Sequence, residues 1–156
     1  MRQCGPAVCL GGNIDTDVII AGRYLRTRDR SIWAEHVFED LDPGLAARLE
    51  GAVIIAGRNF GCGSSREQAV IALAAAGVRG VVAPSFARIF FRNAINIGLA
   101  VLECACPCQD GEEVCLDLET PVVEVAGMSY PARPLSPRMK AILRAGGLVP
   151  YMEEHR

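Results

Sequence analysis

The stretch Gly57-Arg58-Asn59-Phe60-Gly61-Cys62-Gly63-Ser64-Ser65-Arg66-Glu67-Gln68-Ala69 decides how the rest of the chain is read. It follows Ala52-Val53-Ile54-Ile55-Ala56, a short apolar run that reads as a buried strand. It precedes the apolar run from Ala69 to Ala76, which reads as a helix stopped by Gly77. The junction is therefore strand, glycine-rich turn, helix start. Ser64 stands where an N-cap belongs, and Ser64-Ser65-Arg66-Glu67 has the Ser-x-x-Glu spacing of a capping box. A helix start offers backbone N–H groups and partial positive charge to an anion. Arg66 adds a charged fork that fits a carboxylate or phosphate. A capping box alone implies only a capped helix. Glycines at 57, 61 and 63, two hydroxyls and an arginine at one junction point further, to an anion site, because glycine permits close backbone approach to a ligand.

Upstream of this junction, residues 1–10 form an irregular or strand-like lead. Gly11-Gly12-Asn13-Ile14-Asp15-Thr16-Asp17 is rich in turn formers, and the apolar Val18-Ile19-Ile20 follows. Asp15, Thr16 and Asp17 offer oxygen ligands, but an EF-hand loop needs more carboxylates and a closing Glu, so the cluster reads as a turn with side-chain caps. Arg26, Arg28 and Arg30 bunch with Asp29 in a polar segment that reads as a mobile surface loop. From Ser31 to Leu49, Ile32, Trp33, Val37 and Phe38 fall on one helical face, and Asp42-Pro43 divides the segment into two short helices. His36 in that setting reads as a surface or satisfied core residue.

Downstream, Val78 to Ala83 reads as a second strand and Phe86 to Ile95 as a helix introduced by Pro84-Ser85 and ended near Gly98. Leu99 to Leu102 returns as a third strand. Strand–helix–strand–helix–strand is the pattern of a parallel sheet with crossover helices. After Cys108 the pattern changes: residues 114–118 and 122–125 alternate and are separated by turns, which predicts antiparallel strands. Pro137 to Leu148 reads as a final short helix stopped at Gly146-Gly147. The fold class is thus α/β, a mixed sheet core with flanking helices and a C-terminal antiparallel portion, in one domain over residues 1–156.

Hydrophobic residues at 51% argue against disorder, and a net charge of −2 with Lys140 as the one lysine argues against a nucleic-acid binder. No apolar run is long enough for a membrane span, and the first ten residues lack a secretory pattern, so a cytoplasmic setting is expected. In that setting the seven cysteines are expected as reduced thiols. Cys104, Cys106 and Cys108 alternate along an extended segment, but their spacing is not that of zinc or iron–sulfur sites; they read as a strand end entering a loop. Cys62 lies near a helix start, which lowers a thiol's pKa, although Ser64 is the better placed of the two.

Other chemistries fit less well. The glycine spacing is not that of a dinucleotide fingerprint, a P-loop needs Lys before the hydroxyl, and a nucleophilic serine needs its own elbow and a histidine base. Only His36 and His155 are present. The chain offers an anion cradle and a serine with few acid–base partners, which is half of an active site.

Those residues resemble a known family. Gly57 to Ala69, with Gly-Ser-Ser-Arg-Glu, is similar to a signature of the aconitase superfamily's swivel domain. Ser85-Phe86-Ala87-Arg88-Ile89-Phe90-Phe91-Arg92-Asn93-Ala94-Ile95-Asn96-Ile97-Gly98-Leu99 resembles a second signature, and Asn13-Ile14-Asp15-Thr16-Asp17 with Tyr24-Leu25-Arg26-Thr27 a third. Ala145-Gly146-Gly147-Leu148 fits as well. The order is that of the family across nearly the whole chain, and the nearest branch is the stand-alone small subunits of 3-isopropylmalate dehydratase, with their homoaconitase relatives.

The resemblance implies a swivelling β/β/α domain and an iron–sulfur large subunit as partner. A [4Fe–4S] cluster would sit on that partner, with no metal on this chain. Activity would be that of a hydro-lyase exchanging 2- and 3-isopropylmalate in leucine biosynthesis. By the same resemblance Ser64 would be the base, Ser65 and Arg66 would hold a substrate carboxylate, and Asp15, Thr16 and Asp17 would line the active-site loop. Arg26 and Thr27 belong to the loop that reaches the substrate's variable substituent; an arginine there suits a carboxylate, so homoaconitate or a broader set of malates is the second reading. A lone carboxylate-binding regulatory module is the non-enzymatic one. The family usually continues Arg-Glu-His, and Gln68 in the His place implies a local adjustment rather than loss of activity.

Overall fold

The computed structural model describes all 156 residues and builds them around one seven-stranded sheet. The strands are β1 (Arg2–Cys9), β2 (Val53–Ile55), β3 (Gly80–Ala83), β4 (Ala100–Glu103), β5 (Glu113–Asp117), β6 (Val122–Val125) and β7 (Met128–Pro131). Their order is β4-β3-β2-β1-β5-β6-β7. β1 to β4 run parallel, with Val8 beside Ile54, Ile54 beside Val81, and Val81 beside Val101. On the other side of β1 the pairing turns antiparallel through β5, β6 and β7. The helices are α1 (Thr16–Ile19), α2 (Arg30–Glu35), α3 (Glu67–Ala75), α4 (Arg88–Ile97), α5 (Pro137–Ala145) and α6 (Leu148–Glu154).

The two halves of the sheet differ in sequence for a physical reason. β2 and β3 are buried at every residue, as parallel strands covered on both faces must be. β5 and β6 bury alternate residues, Val114 with Leu116 and Val123 with Val125, because one face of that half meets water. The antiparallel strands and the three-strand parallel pattern agree with the sequence reading. β1 exceeds it: the lead at residues 1–10 is a full strand at the seam between the halves. Its Pro6 is tolerated because Ala7 N–H points toward β5 to Glu112, so the nitrogen of Pro6 faces β2 one residue before that pairing begins.

β7 and α6 were not legible. β7 buries none of its four residues, so it lacks the alternation that marks a strand. The Gly146-Gly147 stop is real, with Gly146 in the left-handed region at φ +93°, but the chain restarts at once as α6. From Arg30 to Leu49, only the six residues of α2 (Arg30–Glu35) and a single 3₁₀ turn at Ala46–Arg48 are helical. The expectation of seven reduced cysteines is also corrected. Cys4 and Cys115 face each other across the β1–β5 ladder with Cα atoms 4.1 Å apart and form a disulfide. Antiparallel register, invisible in sequence, puts them together.

Forty-one buried residues form one hydrophobic cluster. Phe60, fully buried, stands edge-on to Phe86 and Phe90 and so fastens the glycine-rich turn to the start of α4. No helix is long and apolar enough to cross a membrane.

Candidate active site

Three loops converge beyond the carboxyl end of β2. Gly61 N–H donates to Ile14 O at 2.8 Å, Thr16 N–H to Cys62 O at 2.8 Å, and Phe60 N–H to Ser85 O at 3.1 Å. These bonds tie residues 13–16 and 85–87 to the central stretch. Gly63 makes the closest approach. Its φ is +87°, and an added Cβ would lie 2.2 Å from Asp15 Oδ2. Asp15 in turn caps α1, its Oδ1 accepting from Asp17 N–H at 2.7 Å. Asp15 and Thr16 therefore hold the site's shape, as the side-chain-capped turn anticipated.

The capping box does not form. α3 begins at Glu67, and its N-cap is Arg66, extended at φ −118° and ψ 109°, with no side-chain cap. Ser64 is not the cap because its segment is drawn off the helix axis. Thr16 Oγ1 donates to Ser64 O at 2.8 Å, and Cys62 bridges to Asp15. The helix thus starts two residues later than the spacing suggests. One consequence matters for chemistry: the hydroxyls of Ser64 and Ser65, both exposed, are free of intramolecular hydrogen bonds.

Both serines line a cavity of about 200 Å³ shared with Thr16, Arg66, Arg88 and Asn93. Arg66, the N-cap of the uncapped α3, lines it together with the uncapped first turn of α4, whose N–H groups bring partial positive charge to this small volume. Arg66 lies against Asp17, Nη1 to Oδ1 2.7 Å. That nitrogen is out of solvent and its N–H groups miss hydrogen-bond alignment to the carboxylate, which leaves a donor of Arg66 unsatisfied. Arg88 has no acidic partner. Arg88 and Asn93 carry no local signal as site residues, because it is the packing of Phe60 on Phe90 and its hydrogen bonds with Ser85 and Ala87 that bring α4 to the serines. A larger cavity, about 440 Å³ between α2 and α3, is lined by alanines, Gly77 and two glutamates and gathers neither cation nor nucleophile.

Arg26 and Thr27 do not line the cavity. Arg26 is exposed and unpaired, and Thr27 Oγ1 accepts from Asp29 N–H at 3.1 Å. Their loop nonetheless borders the site, since a Cβ at Gly22 would sit 3.6 Å from Arg66 Nη1. Gln68 is half-buried in the first turn of α3, with its side chain in no hydrogen bond. Burial pushes the thiols of Cys106 and Cys108 up to about 12, so both stay protonated and unreactive at neutral pH. No group of three or more His, Cys, Asp or Glu is arranged to hold a metal ion.

The family model described as the aconitase C-terminal domain matches residues 13–106. Among curated relatives, the chain is 49% identical over 154 residues to the 3-isopropylmalate dehydratase small subunit of Moorella thermoacetica, covering 95% of this chain and 93% of that one. It is 51% identical over 142 residues to the methanogen homoaconitase small subunit of Methanothermobacter thermautotrophicus, covering 89% and 84%. A crystal structure of 3-isopropylmalate dehydratase from Methanocaldococcus jannaschii superposes with a TM-score of 0.94 at 42% identity, covering 99% of this chain and 95% of that one.

Proposed function

Because the chain belongs to the aconitase C-terminal domain family, we propose that it is the small subunit of a 3-isopropylmalate dehydratase, a hydro-lyase active with a large-subunit partner. The observation that carries this reading is the free Ser64 hydroxyl in a cavity ringed by two uncapped helix starts and two arginines. Residues 1–156 act as one swivel domain, supported by the single sheet and core cluster.

Isomerisation needs a proton removed from one carbon and hydroxide lost from its neighbour. Water then adds back with the positions exchanged. A serine hydroxyl is a weak base until its alkoxide is stabilised. The start of α3 and the guanidinium of Arg66 supply that stabilisation, and it strengthens once a partner closes the cavity to water. In this scheme Ser64 Oγ, as the alkoxide, takes the carbon-bound proton to become the hydroxyl and gives a proton back to carbon when water re-adds, while Ser65, Arg66 and Arg88 hold the substrate's carboxylates. The residues of this chain do not fit an iron–sulfur cluster. We place the [4Fe–4S] cluster on the large subunit, where it would supply Lewis-acid chemistry toward the substrate hydroxyl.

In the reconstituted pair, Ser64→Ala is expected to lower kcat by about 10²–10⁴-fold, the usual contribution of a positioned general base, with the substrate still bound. Turnover near that of the wild type removes Ser64 as the base.

The exposed, unpaired Arg26 favours a second reading, homoaconitate or a broader range of malates, because a free guanidinium at the edge of the site suits a further carboxylate. Arg26→Val should shift the ratio of kcat/KM between isopropylmalate and homoaconitate at least about tenfold toward the isopropyl substrate, the cost of one charge-assisted hydrogen bond. An unchanged ratio takes Arg26 out of substrate selection. A cytoplasmic setting is part of the proposal. The Cys4–Cys115 disulfide weighs against it, since reducing compartments keep thiols free; fractionation of expressing cells tests it.

A further inference from the structure

The loop that carries Arg26 has little structure of its own. Its one regular piece is the 3₁₀ turn Gly22–Tyr24, which has no side-chain cap. It is held from outside, by groups that no motif singles out. Trp33 Nε1, on α2, donates to Tyr24 O at 2.9 Å. The Tyr24 ring stacks on His36, centroids 4.1 Å apart and planes 8° from parallel. Arg23 lies 4.9 Å from the Tyr24 ring centroid. The polar ends of all three side chains then meet on one carboxylate. Glu39 Oε1 accepts from Tyr24 Oη and, at 2.9 Å, from Arg23 Nη2, while Oε2 meets His36 Nδ1. Asp40 takes the rest of the Arg23 fork at 2.7 and 3.2 Å.

Glu39 is itself rigidly presented. It follows Phe38, which is fully buried at φ +60°, a conformation a bulky residue keeps only where its surroundings enforce it. Phe38 N–H donates to Ile19 O at 2.9 Å, at the end of α1, and Phe38 O accepts from both Leu41 and Asp42 N–H. The turn that offers Glu39 is therefore bolted to the helix whose Asp17 holds Arg66. The hydrogen bonds from Tyr24, His36 and Arg23 keep the Glu39 carboxyl at about 2, so it is ionised at any working pH.

We propose that Glu39 is a positioning residue for substrate recognition: acting through Tyr24 and Arg23, it fixes the loop of residues 22–27 and so places Arg26 beside the cavity. This rests on the reading of that loop as substrate-facing. Pre-ordering matters because a loop that must be ordered on binding weakens affinity by the cost of that ordering.

Trp33 is the chain's one tryptophan and touches the loop directly, so its fluorescence reports anchoring without any activity. In the isolated chain, Glu39→Ala should red-shift Trp33 emission and raise its quenching by acrylamide. Tyr24→Phe, which removes a single donor, should do the same more weakly. In the reconstituted pair, Glu39→Ala should raise KM for isopropylmalate about tenfold with kcat within about threefold, the split expected when ground-state and transition-state binding weaken together. Glu39→Gln, which still accepts hydrogen bonds, should recover part of both effects.

An unchanged Trp33 signal in Glu39→Ala overturns the anchoring. A released Trp33 with unchanged KM overturns the positioning role. A wild-type pair that turns over isopropylmalate while Arg26→Val leaves its specificity unaltered faults the reading of the loop instead, and the Trp33 measurement still decides the anchoring.

Discussion

At Gly63 the site depends on a missing methyl group. A side chain there must displace the Asp15 carboxylate, which caps α1, and must adopt a left-handed backbone that costs an L-residue roughly 1–2 kcal/mol. Gly63→Ala should therefore lower stability by at least about 1 kcal/mol and depress kcat more than KM, since it moves Ser64 relative to the other two loops. Thermal unfolding and steady-state kinetics of the reconstituted pair check this; a fully active, equally stable variant would show that Asp15 need not hold its place. Ser64 illustrates the same scale differently. Its side chain was expected to bond the helix and instead faces the cavity, because its carbonyl is held by Thr16 across 48 residues of sequence.

At the scale of elements, α3 and α5 begin in contrasting ways. Ser136 caps α5 through Met139 N–H at 3.2 Å, with Pro137 in the first turn. α3 has no such cap. Ser136→Ala should cost about 1 kcal/mol of stability, the usual loss for a serine cap, whereas Ser64→Ala should change stability by less than about 0.5 kcal/mol. Denaturant unfolding of the two variants side by side decides the matter, and equal losses would restore Ser64 as a cap. An unsatisfied helix start is a stability cost that many helices avoid. Here two such starts face one cavity, which is what an anion site requires.

At the scale of the molecule, the β1 seam joins a parallel half that presents the site to an antiparallel half that carries none of it. The Cys4–Cys115 disulfide spans this seam and closes a loop of 111 residues. Loops of that length correspond to roughly 4–5 kcal/mol of lost unfolded-state entropy, and native disulfides deliver about 2–4 in practice. Reduction, or Cys115→Ser, should thus lower the stability of the oxidised chain by about 2–4 kcal/mol. It should leave isopropylmalate KM unchanged, because the bond lies across the sheet from the cavity loops. Thiol titration with thermal unfolding under both redox conditions measures this; equal stability in both would strip the bond of a structural role.

The sequence by itself determined the parallel strand–helix alternation, the antiparallel pair at 114–118 and 122–125, the glycine stops at 77, 98 and 146, and the family. All of these are written in local periodicity, in residues with restricted backbones, or in ordered motifs. Only the tertiary structure decided that α3 starts at Glu67, that β1 is the seam, that Arg88 shares a cavity with Ser64, and that Cys4 meets Cys115. Each of these is settled by a partner far along the chain: Thr16 for Ser64, β2 and β5 for β1, Phe60 for α4. Hydrogen bonds and packing between distant segments leave no periodic trace in the residues that make them, so they become visible only once the chain has folded.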